Sequence, residues 1–169
     1  LISVVGPSGM GKTALALAAA HRWQADRPDG SAWVDLSALH DPTQVVTAVA
    51  QGLGLALSPE RASATLVEAL RPMQVLIVLD NAEQVLSAVA ELAAAILAGA
   101  PGVRLLVTSQ VPLKVVGERV FRLGPLAVPS PEASLRDALA HGAVELFIDQ
   151  VRAVDRHFEL LPRSEERRV

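Results

Sequence analysis

The chain has 169 residues, of which 51% are hydrophobic and only 3% aromatic, so its core must be built from aliphatic side chains. Its formal net charge of -3 supplies no overall basic field, and we predict no direct nucleic-acid binding by this segment. Cysteine is absent, which excludes disulfides and thiolate zinc sites within these residues.

The first part of the chain alternates strand and helix patterns. Residues 1–5 form an apolar run before a glycine, which is typical of a buried strand that leads into a loop. Residues 12–24 are rich in helix formers, and residues 31–36 predict a second strand.

Two further helices are predicted, each opened by a polar residue followed by proline. Asp41 and Ser58 are the expected N-caps, and Pro42 and Pro59 occupy the first helical positions. The two helical segments then run to about residues 54 and 70.

The second half of the chain continues the alternation of strands and helices. Residues 73–80 and 103–109 form apolar strands, and a long helix at 82–99 lies between them, with Gly99 as its expected terminator. A short strand at 118–123 and two helices at 132–140 and 143–155 follow. Apolar strands without inward and outward alternation indicate a parallel sheet covered on both faces, a three-layer α/β/α sandwich.

The stretch GPSGMGKT, residues 6–13, fits the pattern G-x-x-x-x-G-K-[ST] between a predicted strand and a predicted helix. Its glycines allow successive backbone N–H groups to face one anion, and the helix N-terminus adds positive charge. Lys12 is one of only two lysines among 15 basic residues, and its compact ammonium is expected to reach the β- and γ-phosphates. Thr13 is expected to offer its hydroxyl to Mg²⁺. The alternative is a glycine-rich turn that only caps a helix.

Asp80 ends a buried strand and is the predicted carboxylate of the metal site. The carboxyl ends of parallel strands face the crevice in which α/β sheets bind ligands. Asp80 could also cap the helix that starts at Ala82, and one residue can serve both roles. The predicted metal ligands are Thr13 and Asp80.

Hydrolysis needs a group that orients or deprotonates the attacking water. Asn81 cannot act as a base, so the nearest acid is Glu83, which could equally stabilise the first helical turn by its charge. Thr108 and Ser109 could contact the γ-phosphate or its water, or simply polarise a strand end. The predicted catalytic residues are Lys12, Asp80 and Glu83. The predicted nucleotide-binding residues are Gly6, Pro7, Ser8, Gly9, Met10, Gly11, Lys12, Thr13, Ala14 and Thr108.

Three segments together resemble the nucleotide-binding domain of the STAND signalling ATPases, a group that includes the NB-ARC domains. The segments are VVGPSGMGKTALA, VLIVLDNAEQV and VRLLVTSQVPLKVVGERVFRLGPL. The nearest resemblance is to bacterial regulators with LuxR-type or SARP-type DNA-binding domains. It covers residues 1–158, so we expect residues 159–169 to be a polar tail or a linker to further domains.

The resemblance implies a P-loop core whose parallel sheet of about five strands has the order 5-1-4-3-2. It also implies ATP or ADP with Mg²⁺, and a switch that ADP holds inactive and ATP opens. The implied partners are winged-helix, DNA-binding and repeat domains of a longer chain, together with nucleotide-dependent oligomerisation of the full-length protein.

This sequence departs from the family pattern at several points. Gln110 stands where the family usually has an arginine that senses γ-phosphate charge. The adenine-binding motif expected upstream of the first strand is absent, and residues 124–126 (GPL) do not form the family's Gly-Leu-Pro-Leu motif. Asn81, which stands in place of a second acid, and Gln110 favour a nucleotide switch with slow or absent hydrolysis over an active ATPase or small-molecule kinase. The intact glycine loop argues against the remaining alternative, a scaffold that no longer binds nucleotide.

The sequence also predicts a cytoplasmic domain without a membrane partner. No charge-free apolar run reaches the roughly 18–20 residues that cross a bilayer. No basic segment precedes the first strand, as a signal peptide would require.

Overall fold

The computed structural model of the chain describes residues 1–23, 25, 27–56, 62–156 and 158. The chain forms two compact units, of which the first is Leu1–Leu123 and the second begins at Gly124. The predicted tail, residues 159–169, lies outside the described residues, and a domain boundary at residue 158 stays a prediction.

The first unit is built on five parallel strands. They are β1 (Ile2–Val5), β2 (Ser31–Asp35), β3 (Leu76–Asp80), β4 (Arg104–Ser109) and β5 (Arg119–Arg122). Their spatial order is β2-β3-β4-β1-β5, which is the predicted order 5-1-4-3-2 read from the other edge. All pairings are parallel, so the carboxyl ends of the strands share one edge of the sheet.

Helices cover both faces of this sheet, as the strand pattern predicts. The helices of the first unit are α1 (Lys12–Trp23), α2 (Val45–Gly52), α3 (Ala62–Leu70) and α4 (Leu86–Gly99). Along β3, Ile77 and Leu79 join the larger core beneath α2, α3 and α4, whereas Leu76 and Val78 join the smaller core beneath α1. Both faces of β3 are therefore buried, which explains its continuous apolar sequence.

Local sequence signals account for several boundaries. Asp41 accepts a hydrogen bond from the Thr43 backbone N–H, as an N-cap does, but it opens a 3₁₀ turn at Pro42–Gln44 before α2 begins. A second 3₁₀ turn, Ala82–Val85, likewise precedes α4. The predicted cap at Ser58 and Pro59 lies outside the described residues.

Gly99 ends α4 as predicted, but for a different reason. It is not among the residues with positive φ, so it is not a left-handed helix terminator. A Cβ at position 99 would lie 2.3 Å from Val67 Cγ1. The glycine is therefore required by the close approach of α3.

Within the described residues, one helical segment, Ala82–Gly99, is long and apolar enough to cross a membrane by length and composition. Its Val89, Leu92 and Ile96 side chains are buried in the larger core against the sheet. Its hydropathy is thus that of a helix packed in a protein core.

The described part of the second unit contains two helices, α5 (Leu135–Ala138) and α6 (Gly142–Val154). The first is shorter than the predicted segment 132–140, and the second matches the predicted segment 143–155 closely. Phe147 and Phe158 pack edge to face with their ring centroids 6.3 Å apart.

Candidate functional site

The carboxyl ends of three neighbouring strands meet at the loop that follows β1. Because β4 pairs with both β1 and β3, the residues that end these strands lie side by side. The Gly6 N–H donates to the Ser109 carbonyl oxygen at 3.3 Å, which ties the start of the loop to the end of β4. The parallel topology thus brings Gly6, Asp80 and Thr108 to one place.

The loop between β1 and α1 has the backbone of an anion-binding turn. Gly9 and Gly11 have φ angles of 78° and 87°, a region that side-chain-bearing residues rarely adopt. Helix α1 begins at Lys12, so the N–H groups of its first turn have no intrahelical acceptor. The loop and the helix therefore present several N–H donors together with the positive end of the helix.

An open cavity of about 480 Å³ lies at this loop. Its lining residues are Ser8, Gly9, Gly11, Lys12, Thr13, Ala14, Asn81 and Glu83. Gly6 lies behind it, where a Cβ would come within 3.0 Å of the Leu123 carbonyl oxygen. Met10 is half-buried in the turn.

Lys12 is folded back into the loop. Its side chain is only 7% exposed, and its ammonium donates to the Pro7 carbonyl oxygen at 3.0 Å. A positive charge is thereby held at the cavity wall, where it could exchange this carbonyl for an anionic oxygen.

Asp80 is the centre of a compact polar cluster. It is 2% exposed, and its Oδ1 accepts hydrogen bonds from the Thr13 hydroxyl at 3.0 Å and from the Thr108 hydroxyl at 2.5 Å. Its Oδ2 accepts from Asn81 Nδ2 at 3.2 Å. The helix-capping alternative is not observed, because the N-cap of the following turn is Asn81 and no side chain caps it.

Thr108 lies beneath Asp80. It is fully buried, and its hydroxyl oxygen also accepts the Asn81 backbone N–H at 2.9 Å. Direct contact between Thr108 and a phosphate would require this hydroxyl to leave both partners. The geometry therefore favours a role in which Thr108 orients Asp80.

Glu83 lines the cavity from the turn after β3. Its Oε2 is buried and has no hydrogen-bond partner among the residues that the structure describes. A buried carboxylate oxygen without a partner is costly, so this atom is suited to a donor or cation supplied from the cavity.

The residues present fit a hydrated magnesium ion. Mg²⁺ takes oxygen ligands, keeps several waters and needs only one or two protein groups beside phosphate. The Thr13 hydroxyl at the cavity wall and the Asp80 carboxylate that it contacts offer such oxygens. The described residues contain no cluster of three or more His, Cys, Asp or Glu side chains that could hold a metal alone.

A family model described as an AAA domain matches residues 1–122. The chain belongs to this AAA domain family. Among curated relatives of the domain, a proposed HTH-type transcriptional regulator of Mycobacterium tuberculosis is 32% identical over 164 residues, which are 95% of this chain and 17% of that protein. The regulatory protein AfsR of Streptomyces griseus is 34% identical over 143 residues, which are 79% of this chain and 14% of that protein. The chain spans 17–38% of the length of the first curated relatives that it matches.

Solved structures share the fold of the AAA domain. The Cdc6p structure from Pyrobaculum aerophilum has a TM-score of 0.60 at 20% identity and covers 90% of this chain and 43% of its own. A STAND protein with a tetratricopeptide repeat sensor from Pyrococcus horikoshii has a TM-score of 0.51 at 14% identity, over 94% of this chain and 23% of its own. The predicted resemblance to STAND ATPases and bacterial transcriptional regulators is confirmed.

The AAA domain contains an acidic residue at this edge that the sequence prediction missed. Asp35 ends β2 and is the register partner of Asp80. Its pKa lies below its usual range because its carboxylate accepts hydrogen bonds from the Ser37 backbone N–H and from the Asn81 side chain. The available signal was an acid at the end of a second predicted strand.

The segment after β4 holds another acid with a defined role. The carboxylate of Glu118 accepts hydrogen bonds from the backbone N–H groups of Leu113 at 2.9 Å and Lys114 at 2.8 Å. Partial burial raises the pKa of Glu118, but the nearby donors, which are the Ser3 hydroxyl and the backbone N–H groups of Leu113, Lys114 and Val115, outweigh it and the pKa lies below its usual value. Gln110, in contrast, is exposed at the start of this segment.

Proposed function

We propose that this AAA domain is an ATP- and ADP-binding switch, of the NB-ARC-like type, within a larger signal-transducing regulator. The observation that carries the proposal is the hydrogen-bonded cluster of Thr13, Asp80 and Thr108 beside the glycine loop. Such a cluster joins a phosphate-binding turn to a buried carboxylate, which is the arrangement that nucleotide with magnesium requires.

The phosphate chain of the nucleotide is assigned to the glycine loop. The N–H groups at the start of α1 and the Lys12 ammonium would bind its oxygens, and Thr13 and Asp80 would hold magnesium. Bound Mg²⁺ supplies charge that neutralises the phosphate oxygens. The cavity of about 480 Å³ at the loop is open, so it offers room for the phosphates while leaving the base to other contacts.

Two residues near this site, Asn81 and Gln110, support slow hydrolysis. The residue after Asp80 is an asparagine, whose amide donates to carboxylates and cannot accept a proton from water. Gln110 carries no charge with which to stabilise a developing negative charge. Since the two nucleotide states would then be long-lived, the domain is suited to a switch driven by differential affinity for ATP and ADP.

A regulatory context is supported by the relatives. One of them is named an HTH-type transcriptional regulator and another a regulatory protein, and a STAND structure that shares the fold has a tetratricopeptide repeat sensor. We therefore propose that DNA-binding, winged-helix and repeat domains of the same longer chain respond to the nucleotide state. A cytoplasmic location and nucleotide-dependent oligomerisation are parts of the same proposal.

Two measurements on the full-length protein test this function. Isothermal titration should give binding of Mg·ATP and Mg·ADP, and single-turnover assays should give slow hydrolysis of bound ATP. Lys12→Gln should abolish binding, whereas Lys114→Gln removes the other lysine and should leave binding unchanged. Rapid turnover without any partner would refute the switch, and the absence of heat for either nucleotide would favour a scaffold.

An active ATPase is the second candidate, and Glu83 is the observation that favours it. Glu83 lines the cavity, and a rotation of its side chain would turn the buried, partnerless Oε2 towards water there, as a base requires. Under this alternative, Glu83→Gln would lower the single-turnover rate by about 100-fold or more without weakening nucleotide binding. Under the switch proposal, the rate is already slow and changes little.

A further inference from the structure

Asn81 makes three hydrogen bonds, and they connect the ends of three strands. Its backbone N–H donates to Thr108 Oγ1 at 2.9 Å. Its side-chain Nδ2 lies 3.2 Å from Asp35 Oδ1 and 3.2 Å from Asp80 Oδ2. One residue thus links β4 through its backbone and links β2 to β3 through its side chain.

The residue type at position 81 satisfies two separate requirements. The backbone is left-handed, with φ 60° and ψ 49°, a conformation that glycine, asparagine and aspartate tolerate best. The side chain faces two carboxylates, and a primary amide provides one N–H for each of them. Among the three tolerated residues, only asparagine supplies both donors.

The Asn81 side chain, which bridges Asp35 and Asp80, also separates two like charges at this edge of the sheet. Asp35 and Asp80 are register partners at the ends of adjacent strands, so their carboxylates share one face of the site. Two like charges at short range would repel each other and turn away unless a donor lies between them. The Asn81 amide is that donor, and the Ser37 backbone N–H donates to the same Asp35 oxygen, Oδ1, at 2.9 Å.

We propose that Asn81 is a positioning residue that fixes the Asp80 carboxylate for magnesium by tying it to Asp35. Thr13 and Thr108 hold Oδ1 of Asp80, and the Asn81 amide holds Oδ2. A carboxylate restrained at both oxygens cannot rotate, so its orientation is set before a cation arrives. This inference rests on the proposed nucleotide and magnesium site.

The test compares nucleotide affinity with magnesium and with EDTA in the full-length protein. Asn81→Gly keeps the left-handed backbone and removes the amide, so affinity should fall about tenfold in magnesium and stay unchanged in EDTA. Asp35→Ala removes the carboxylate to which the Asn81 amide is tied. It should therefore also lower the nucleotide affinity in magnesium, but by less than Asn81→Gly does. Asp149→Ala, which removes an exposed carboxylate on α6, is the matched control and should change neither value.

Two results would overturn the positioning role. One is an affinity of Asn81→Gly that equals the wild-type affinity in magnesium as well as in EDTA. The other is an equal loss in both conditions, which a general structural defect would cause. If the wild-type protein binds no nucleotide at all, the proposed function itself fails and the bridge is only a structural contact.

The bridge can be measured separately in the nucleotide-free protein. A double-mutant cycle of Asp35→Ala and Asn81→Gly, followed by urea unfolding, reports their coupling. We expect Asp35→Ala to cause a smaller loss of stability in the Asn81→Gly background than in the wild type, because the hydrogen bond that the two side chains share is already lost. Fully additive effects would show that the two side chains do not interact.

Discussion

Replacing Thr108 by valine removes one buried hydroxyl and leaves the shape of the side chain nearly unchanged. That hydroxyl donates to the Asp80 carboxylate at 2.5 Å and accepts the Asn81 N–H at 2.9 Å. A hydrogen bond to a charged group contributes about 1.5–3 kcal/mol, and a buried N–H left without an acceptor costs about 1–3 kcal/mol. Because the substitution removes both interactions at once, we expect Thr108→Val to lower the free energy of unfolding by about 2.5–6 kcal/mol.

Thr108→Ser is the matched control for this substitution. It keeps the hydroxyl and removes one buried methyl group, which should cost about 1 kcal/mol. Urea unfolding of both variants, with equal slopes against denaturant, gives the comparison directly. If the valine variant were as stable as the serine variant, the hydroxyl would contribute no more than the methyl group, about 1 kcal/mol, and the account of the Asp80 cluster would be refuted.

Three further predictions concern Gly11, Gly99 and Glu118. Gly11→Ala places a Cβ on a backbone with φ 87°, although the space around it is open. Titration should show that the strained loop has lost nucleotide binding. Thermal unfolding should show a destabilisation of only about 1–2 kcal/mol. Gly99→Ala puts a Cβ 2.3 Å from Val67 Cγ1, and we expect urea unfolding to give a loss of about 1–3 kcal/mol that a second change, Val67→Ala, partly restores. If the double variant were less stable than Gly99→Ala, the steric explanation would be wrong. Since the pKa of Glu118 is lowered in the folded state, its contribution is present above the ordinary carboxyl pKa of about 4.3 and is lost as pH falls through the folded pKa. The stability difference between wild type and Glu118→Gln should therefore shrink below about pH 4.3, and a constant difference down to pH 2 would contradict this.

Much of the fold could be predicted because its signals are local. The run at residues 76–80 has no alternation, and the structure shows why, with Ile77 and Leu79 on one face and Leu76 and Val78 on the other. The proximity of the glycine loop to Asp80 could also be predicted, because parallel strands present their carboxyl ends at one edge. The strand order itself depended on the family resemblance, since many orders satisfy the same local pattern.

The contacts of the site could not be predicted in the same way. The Asn81 amide reaches Asp35, 46 residues away in the chain, only because β2 and β3 pair in a particular register. Glu118 belongs to the third segment that carries the family resemblance. Its hydrogen bonds with the backbone N–H groups of Leu113 and Lys114, however, depend on how the loop between β4 and β5 folds back. Such contacts depend on register and rotamers, which no local pattern encodes.

The position of Leu123 restricts which residue can stand at position 6. This residue ends the first unit, its N–H donates to the Val5 carbonyl at 2.8 Å, and its own carbonyl would lie 3.0 Å from a Cβ at Gly6. The covalent connection to the second unit therefore leaves the sheet directly beside the first glycine of the loop. A side chain at position 6 would press on the Leu123 carbonyl, so only glycine lets the loop start this close to the residue that follows β5.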